Sequence, residues 1–181
     1  MSKTMDKSLL IVIDCQNDFI DGSLGSPEAE AIVPNVQRII QMFKDNGDDI
    51  IFTRDTHYKN YMNTSEGKSL PVSHCVKNTY GWQISDQLDT EGCRIIDKNT
   101  FGVRDWAYYS FDYKEIVLVG LCTDICVVSN ALILKADYPE IPIIVDASCC
   151  AGVTPEKHAA ALEVMKSCQI NVIGYGRKKY I

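Results

Sequence analysis

The chain has no apolar run of membrane-spanning length, no long basic run, and only three histidines among its 181 residues. Each shortage removes a class of function. Without a long apolar run there is no transmembrane helix. A net charge of −6 without a basic stretch argues against a general nucleic-acid surface and against binding to anionic membranes. Met1 to Ser8 is polar, and the apolar run that follows is interrupted at Asp14, so no signal peptide is expected and a cytoplasmic location is. No cysteine pair has the doubled C-x-x-C spacing of a cysteine-only zinc site, and Cys122 and Cys126 are too far apart for a thioredoxin-type motif. What remains is small-molecule chemistry.

The chain is also rich in features that build a core. Its 46% hydrophobic content over 181 residues suits one compact domain spanning 1–181. The eight cysteines lie mostly in apolar or motif contexts and read as reduced thiols. Short apolar runs alternate with helical patterns along the whole length. Leu9 to Ile13 is continuously apolar, as in a strand covered on both faces. Val33, Val36, Ile39, Ile40 and Phe43 then recur at helical spacing, with Gly47 as a stop. Further strands are predicted at Asp49 to Thr53, Arg94 to Ile96, Ile116 to Val119, Ile141 to Val145 and Asn171 to Ile173. Helices are predicted over roughly Asp124 to Ala136 and from Thr154-Pro155-Glu156 onward. Arg54 to Gly92 forms a long connection of the kind that carries function. The pattern predicts an α/β/α three-layer sandwich around a six-stranded parallel sheet.

In such sheets ligands collect beyond the carboxyl ends of the strands. Asp14 follows the first strand there, Asp55 and His57 the second, Lys98 the third and Cys126 the fourth. A thiol in the first turn of a helix feels the positive end of the macrodipole, which favours thiolate. Asp14 would be a base for that thiol and Lys98 a countercharge, making an activated nucleophile. Inert packing for Cys126, a turn or cap for Asp14 and an exposed position for Lys98 are the plain alternatives. A second set, Asp55, His57, Glu66 and His74, has the hard and borderline donors of a zinc, iron or manganese site. The plain alternative is hydrogen bonding that holds the loop. His158, in the last helix, reads as an exposed or packed side chain.

Together these residues resemble the isochorismatase-like cysteine hydrolases, and within them the nicotinamidases. The resemblance rests on Asp14-x-Gln16-x-Asp18-Phe19, Asp55-x-His57, the segment from Leu70-Pro71 through His74-Cys75 to Gly81, Lys98 with Phe101, and Gly120-Leu121-x-Thr123-Asp124-x-Cys126-Val127. It implies a metal-dependent amidase working through a thioester at Cys126. Asp14 would take the proton, Lys98 would hold the pair, and the backbone N–H groups of Cys122 and Cys126 would form an oxyanion hole beside a cis Leu121–Cys122 peptide. It implies a divalent ion, zinc with iron or manganese as alternatives, on Asp55, His57, His74 and, by position, Glu66. Phe19, Phe101 and Trp106 would face the substrate, with Trp82 as an alternative to Trp106 and a core position open to either tryptophan. Many nicotinamidases carry a tryptophan where this chain has Pro71. The implied partner is a small amide, nicotinamide first and a carbamoyl or ureido compound second, and a homo-oligomer is expected. A binding protein or a thiol-redox protein on the same fold is the remaining reading.

Overall fold

The computed structural model describes residues 6–174. Six strands, β1 (Ser8–Ile13), β2 (Asp49–Asp55), β3 (Arg94–Lys98), β4 (Glu115–Leu121), β5 (Ile143–Ala151) and β6 (Asn171–Ile173), form one all-parallel sheet in the order β3-β2-β1-β4-β5-β6. Among the described residues five α-helices accompany them: α1 (Asn17–Ile20), α2 (Pro27–Asn46), α3 (Ser65–Ser69), α4 (Val128–Asp137) and α5 (Pro155–Ser167). Among the described residues no helix is long and apolar enough to cross a membrane.

The continuous apolar run of β1 is explained by its two covered faces. Leu10 and Val12 pack with the α2 face residues Val33, Val36, Ile40 and Phe43. Leu9, Ile11 and Ile13 pack on the other side with Leu134 of α4 and Leu162 and Met165 of α5. All five are fully buried. At roughly 1.5–3 kcal/mol per large apolar side chain, this two-sided burial is the main force holding the layers together.

Local signals set the helix ends. Ser26 caps α2 by accepting a hydrogen bond from the Ala29 N–H at 3.1 Å, and Pro27 occupies the first turn. Gly47 ends the helix in the left-handed region with φ 73°, returning its N–H to the carbonyls of Phe43 and Lys44. Thr154 caps α5 in the same way through the Lys157 N–H, at 3.2 Å.

Strands β2, β3, β4 and β5 all run further toward their carboxyl ends than their apolar runs suggest. The polar residues added there, Asp55 and Lys98 among them, are paired across the sheet and hydrogen-bonded within it, so they do not break the ladder. The fourth helix also begins differently. Thr123–Val127 forms a π-type turn, and α4 proper starts only at Val128.

The chain proceeds from β1 outward to β2 and β3, then returns to β4 and proceeds the other way. The order therefore reverses between β1 and β4, and the crevice beyond their carboxyl ends is where a ligand fits an open α/β sheet. Gly120, at φ 117°, lets the two strands approach there. A Cβ on it would collide with the Ile13 carbonyl oxygen.

Candidate active site

Asp14 leaves β1 at that reversal with φ 48°, a left-handed conformation uncommon outside glycine. Its carboxylate is completely buried. Thr53 of β2 donates its hydroxyl to Asp14 Oδ1 at 2.6 Å, and Lys98 Nζ lies 2.5 Å from Oδ2. Lys98 closes β3 and is itself 6% exposed. The same ammonium reaches Cys126 Sγ at 3.5 Å and Asp55 Oδ1 at 3.7 Å. The strand order places β1, β2 and β3 side by side, and register pairs Asp55 with Lys98. Residues 14, 55 and 98 are thereby assembled from three strand ends, and β4 delivers residue 126.

Cys126 stands in the π-type turn rather than at the start of a regular helix. The Cys122 carbonyl accepts from the N–H groups of Ile125 and Val127 at 3.0 and 3.1 Å, which closes the turn. The Leu121–Cys122 peptide is cis.

The electrostatics differ from the thiolate expected of a helix start. Burial pushes the Cys126 thiol well up, and the neighbouring Asp14 charge adds to this, outweighing the help from Lys98. Burial likewise raises Asp14 despite Lys98 and the Thr53 hydroxyl. For Lys98, burial favours loss of the proton, but Asp14, Cys126 and Asp55 together hold it as an ammonium. Burial thus favours the protonated forms of both Cys126 and Asp14, beside an ammonium that the same neighbours hold charged. A thiol and a carboxyl group so placed can pass a proton between them.

A second cluster adjoins the first. The ligand atoms of Asp55, His57, Glu66 and His74 all lie within 4.8 Å of one another. His57 Nε2 is 2.9 Å from Asp55 Oδ2 and 3.6 Å from Glu66 Oε1, and His74 Nε2 is 3.6 Å from Asp55 Oδ2. His74 Nδ1 is 2.8 Å from the Val72 carbonyl, which aims Nε2 at the carboxylates. His57 Nε2 is buried without a hydrogen-bond partner, since its geometry toward Asp55 does not make one. Two imidazole nitrogens and two carboxylates converging on one point, one of them orphaned, fit a divalent ion of the zinc, iron or manganese type. Burial alone would raise Asp55, but the close imidazoles of His57 and His74 and the Lys98 charge hold it below the usual carboxylate range.

Gln16 ties the clusters together. Its side chain accepts from the Asp55 N–H at 2.6 Å and donates to the carbonyls of Asp55 and Trp82 at 2.9 and 2.7 Å. Asp18 accepts from the Cys75 N–H at 2.7 Å, anchoring the His74 segment.

Both clusters open on a cavity of about 590 Å³ whose walls include Phe19, Leu24, Leu70, Phe101, Ile125 and Cys122. Phe19 lies beside His74, with ring centroids 5.5 Å apart and the rings tilted by 56°. Phe101 is 48% exposed on the cavity wall. A larger cleft of about 960 Å³ lies at the opposite ends of β2 and β3, and it contains none of the residues named here as candidates.

Trp106 is a correction. It is fully buried among Tyr109 and Phe111, and its ring N–H donates to Asn130 Oδ1 at 3.0 Å, so it cannot face a substrate. Trp82 is also structural, hydrogen-bonded to Thr56 at 2.9 Å beneath the Arg54 guanidinium. Three contributors escaped the sequence reading. Thr53, a lone hydroxyl in an apolar strand, was the readable signal. Tyr61, whose ring lies 4.6 Å from His57 and 5.0 Å from His74, and Asn130, which donates to the Cys126 carbonyl at 2.7 Å, left no local trace.

Known proteins share this framework. A nicotinamidase of Saccharomyces cerevisiae is 28% identical over 91% of this chain and 98% of its own. A protein of Arabidopsis thaliana named a probable inactive nicotinamidase is 29% identical, covering 92% of each chain. The crystal structure of the pyrazinamidase of Pyrococcus horikoshii in complex with zinc superposes with a TM-score of 0.81 at 30% identity, covering 93% of this chain and 99% of the other. The isochorismatase domain model matches residues 8–175, nearly the whole chain, and the protein therefore belongs to the isochorismatase family.

Proposed function

We propose that this family hydrolase is a metal-dependent cysteine amidase that converts nicotinamide and water to nicotinate and ammonia through a thioester at Cys126. The observation that carries the proposal is the shared position of Lys98. Its ammonium contacts the nucleophile, the base and a donor of the metal cluster, at 3.5, 2.5 and 3.7 Å.

In the first half-reaction Cys126 Sγ attacks the carboxamide carbon and its proton passes to Asp14. Lys98 stays charged throughout and offsets the negative charge shared by thiol and carboxylate. The backbone N–H groups of Cys122 and Cys126 receive the developing oxyanion, a contribution of roughly 3 kcal/mol in such sites. Asp14 then returns the proton to the departing nitrogen, ammonia leaves, and an acyl thioester remains. In the second half-reaction Asp14 takes a proton from water, the resulting hydroxide attacks the thioester, and Cys126 recovers its proton as the acid is released. Asp55, His57, Glu66 and His74 would hold a divalent ion, zinc with iron or manganese as alternatives, which when bound supplies a Lewis-acidic anchor for the ring nitrogen and for water. Phe19 and Phe101 would flank the ring.

The zinc complex of the Pyrococcus pyrazinamidase supports the metal assignment. The Arabidopsis relative named as probably inactive makes turnover, rather than likeness, the decisive measurement. Ammonia release from nicotinamide is expected from the intact protein, abolished in Cys126→Ala, lost on chelation and regained with zinc. Turnover that survives Cys126→Ala would overturn the thioester mechanism. Hydrolysis of a ureido compound but not of nicotinamide would move the substrate and leave the mechanism in place.

A further inference from the structure

His158 belongs to neither cluster, yet α5 brings it against the turn that carries Cys126. Its Nδ1 lies 2.8 Å from the hydroxyl of Thr123, the first residue of the π-type turn. Thr123 is fully buried, so its hydroxyl depends on partners within the protein. The next residue repeats the connection, because Asp124 Oδ1 accepts from the Val153 N–H at 2.8 Å. Gly152 allows the approach: a Cβ there would stand 2.8 Å from Asp124 Oδ1 and 2.9 Å from His158 Cα, too close for either to remain in place. The turn that presents the nucleophile is thus held from outside, by two hydrogen bonds to the start of α5, as well as by its own backbone.

We infer that His158 is a positioning residue for the reaction, acting through Thr123 to fix the Cys122–Cys126 turn in the geometry that aims the thiol and the oxyanion-binding N–H groups. The inference rests on the amidase reading. Half-buried among these groups, the imidazole has its proton affinity lowered by burial, only partly offset by Asp124, and its Nδ1 shares a hydrogen bond with the Thr123 hydroxyl. A hydrogen bond that holds catalytic geometry, rather than substrate, affects the transition state more than binding. A small misplacement of reacting groups costs about tenfold or more in rate.

The test combines His158→Phe, Thr123→Val and the double variant with His158→Asn, whose side-chain amide carries a hydrogen-bonding atom near the place of Nδ1. For nicotinamide hydrolysis, His158→Phe and Thr123→Val are each expected to lower kcat about tenfold with KM changed less than twofold. The double variant should lose no more than either single one, and His158→Asn should retain at least half of the parent kcat. Additive losses, an equal rise in KM, or unchanged kcat alongside a lowered melting temperature would overturn the positioning role and leave His158 a packing residue.

A second readout does not require turnover. Pyridine-3-carbaldehyde can add to Cys126, forming an S–C bond as the carbonyl π bond opens, the thiol proton passing by way of Asp14 to the former carbonyl oxygen, which lies at the same N–H groups. Calorimetric affinity for this aldehyde should fall about tenfold in His158→Phe and Thr123→Val. If the parent protein binds the aldehyde, the variants weaken it and no amide is hydrolysed, the amidase reading falls while the positioning role stands. If the parent binds the aldehyde and the variants bind it equally well, the positioning role falls; if the parent does not bind it, the nicotinamide reading falls and the kinetic comparison is made on the amide that the parent hydrolyses.

Discussion

Lys98 Nζ stands 3.7 Å from Asp55 Oδ1 while it holds Asp14 at 2.5 Å, so one buried cation is shared by the candidate triad and the candidate metal cluster. Its removal leaves the buried Asp14 carboxyl without its countercharge and takes one of several favourable charges from Asp55. Such a loss costs about 3–5 kcal/mol when one partner of a buried ion pair is deleted. Lys98→Met should therefore unfold at markedly lower urea concentration and lose amidase activity together. Adding Asp14→Asn should recover part of the stability and none of the activity. A Lys98→Met protein as stable as the parent would contradict the shared-cation arrangement.

On the proposed mechanism Asp14 should set the acid limb of activity. It serves as a base only when ionised, and burial raises its carboxyl above the ordinary value of 3.8. As pH falls, kcat/KM should decline through that raised value, earlier than an exposed aspartate would require. The stability effect has the opposite sign. A folded pKa above the unfolded one means that the ionised form is penalised at neutral pH, and the penalty disappears as pH falls through the raised value. A pH–rate profile with its acid limb at the ordinary aspartate value would exclude Asp14 as the proton acceptor.

Removing a bound ion from Asp55, His57, Glu66 and His74 should cost stability as well as activity, because ligand atoms within 4.8 Å would face one another unneutralised. An ion present at a hundred times its Kd stabilises the fold by about 2.7 kcal/mol. Thermal melts with chelator, and again after zinc is restored, should differ by several degrees in the parent. His57→Ala should remove most of that difference. Identical melts with and without zinc would argue that the four side chains only hold the loop.

The two aromatic residues should separate by their effects. Phe101→Ala opens the cavity wall and should raise KM with little loss of stability. Trp106→Phe removes the hydrogen bond to Asn130 at 3.0 Å and buried volume, so it should destabilise by about 1–3 kcal/mol and leave KM unchanged. An increase in KM for Trp106→Phe larger than for Phe101→Ala would reverse the assignment made from burial.

Most of the architecture was legible from local patterns. The both-faces burial of Leu9 to Ile13, the α2 stripe ending at Gly47 and the Thr154-Pro155 helix start all reflect forces within one segment or between a segment and the apolar layer beside it. β2 and β3 run past Thr53 and Ile96 to Asp55 and Lys98, polar residues that local apolar patterning does not assign to a strand. Across the sheet they are register partners, and their charges are compensated where they lie.

Taken by itself, the sequence determined the order of the elements and the chemical kinds available at each strand end: a carboxylate, an Asp-x-His pair, a lysine and a cysteine. Those properties follow from apolar periodicity and residue type, which are local. Only tertiary structure decided which of these side chains meet, that Trp106 is core, and that His158 touches the turn that carries Cys126. It also decided how the thiol is biased. Helix position favours thiolate, but complete burial beside Asp14 works against a second negative charge and pushes the thiol well up. Burial and pairing are properties of residues distant in the chain, and no window along the sequence contains them.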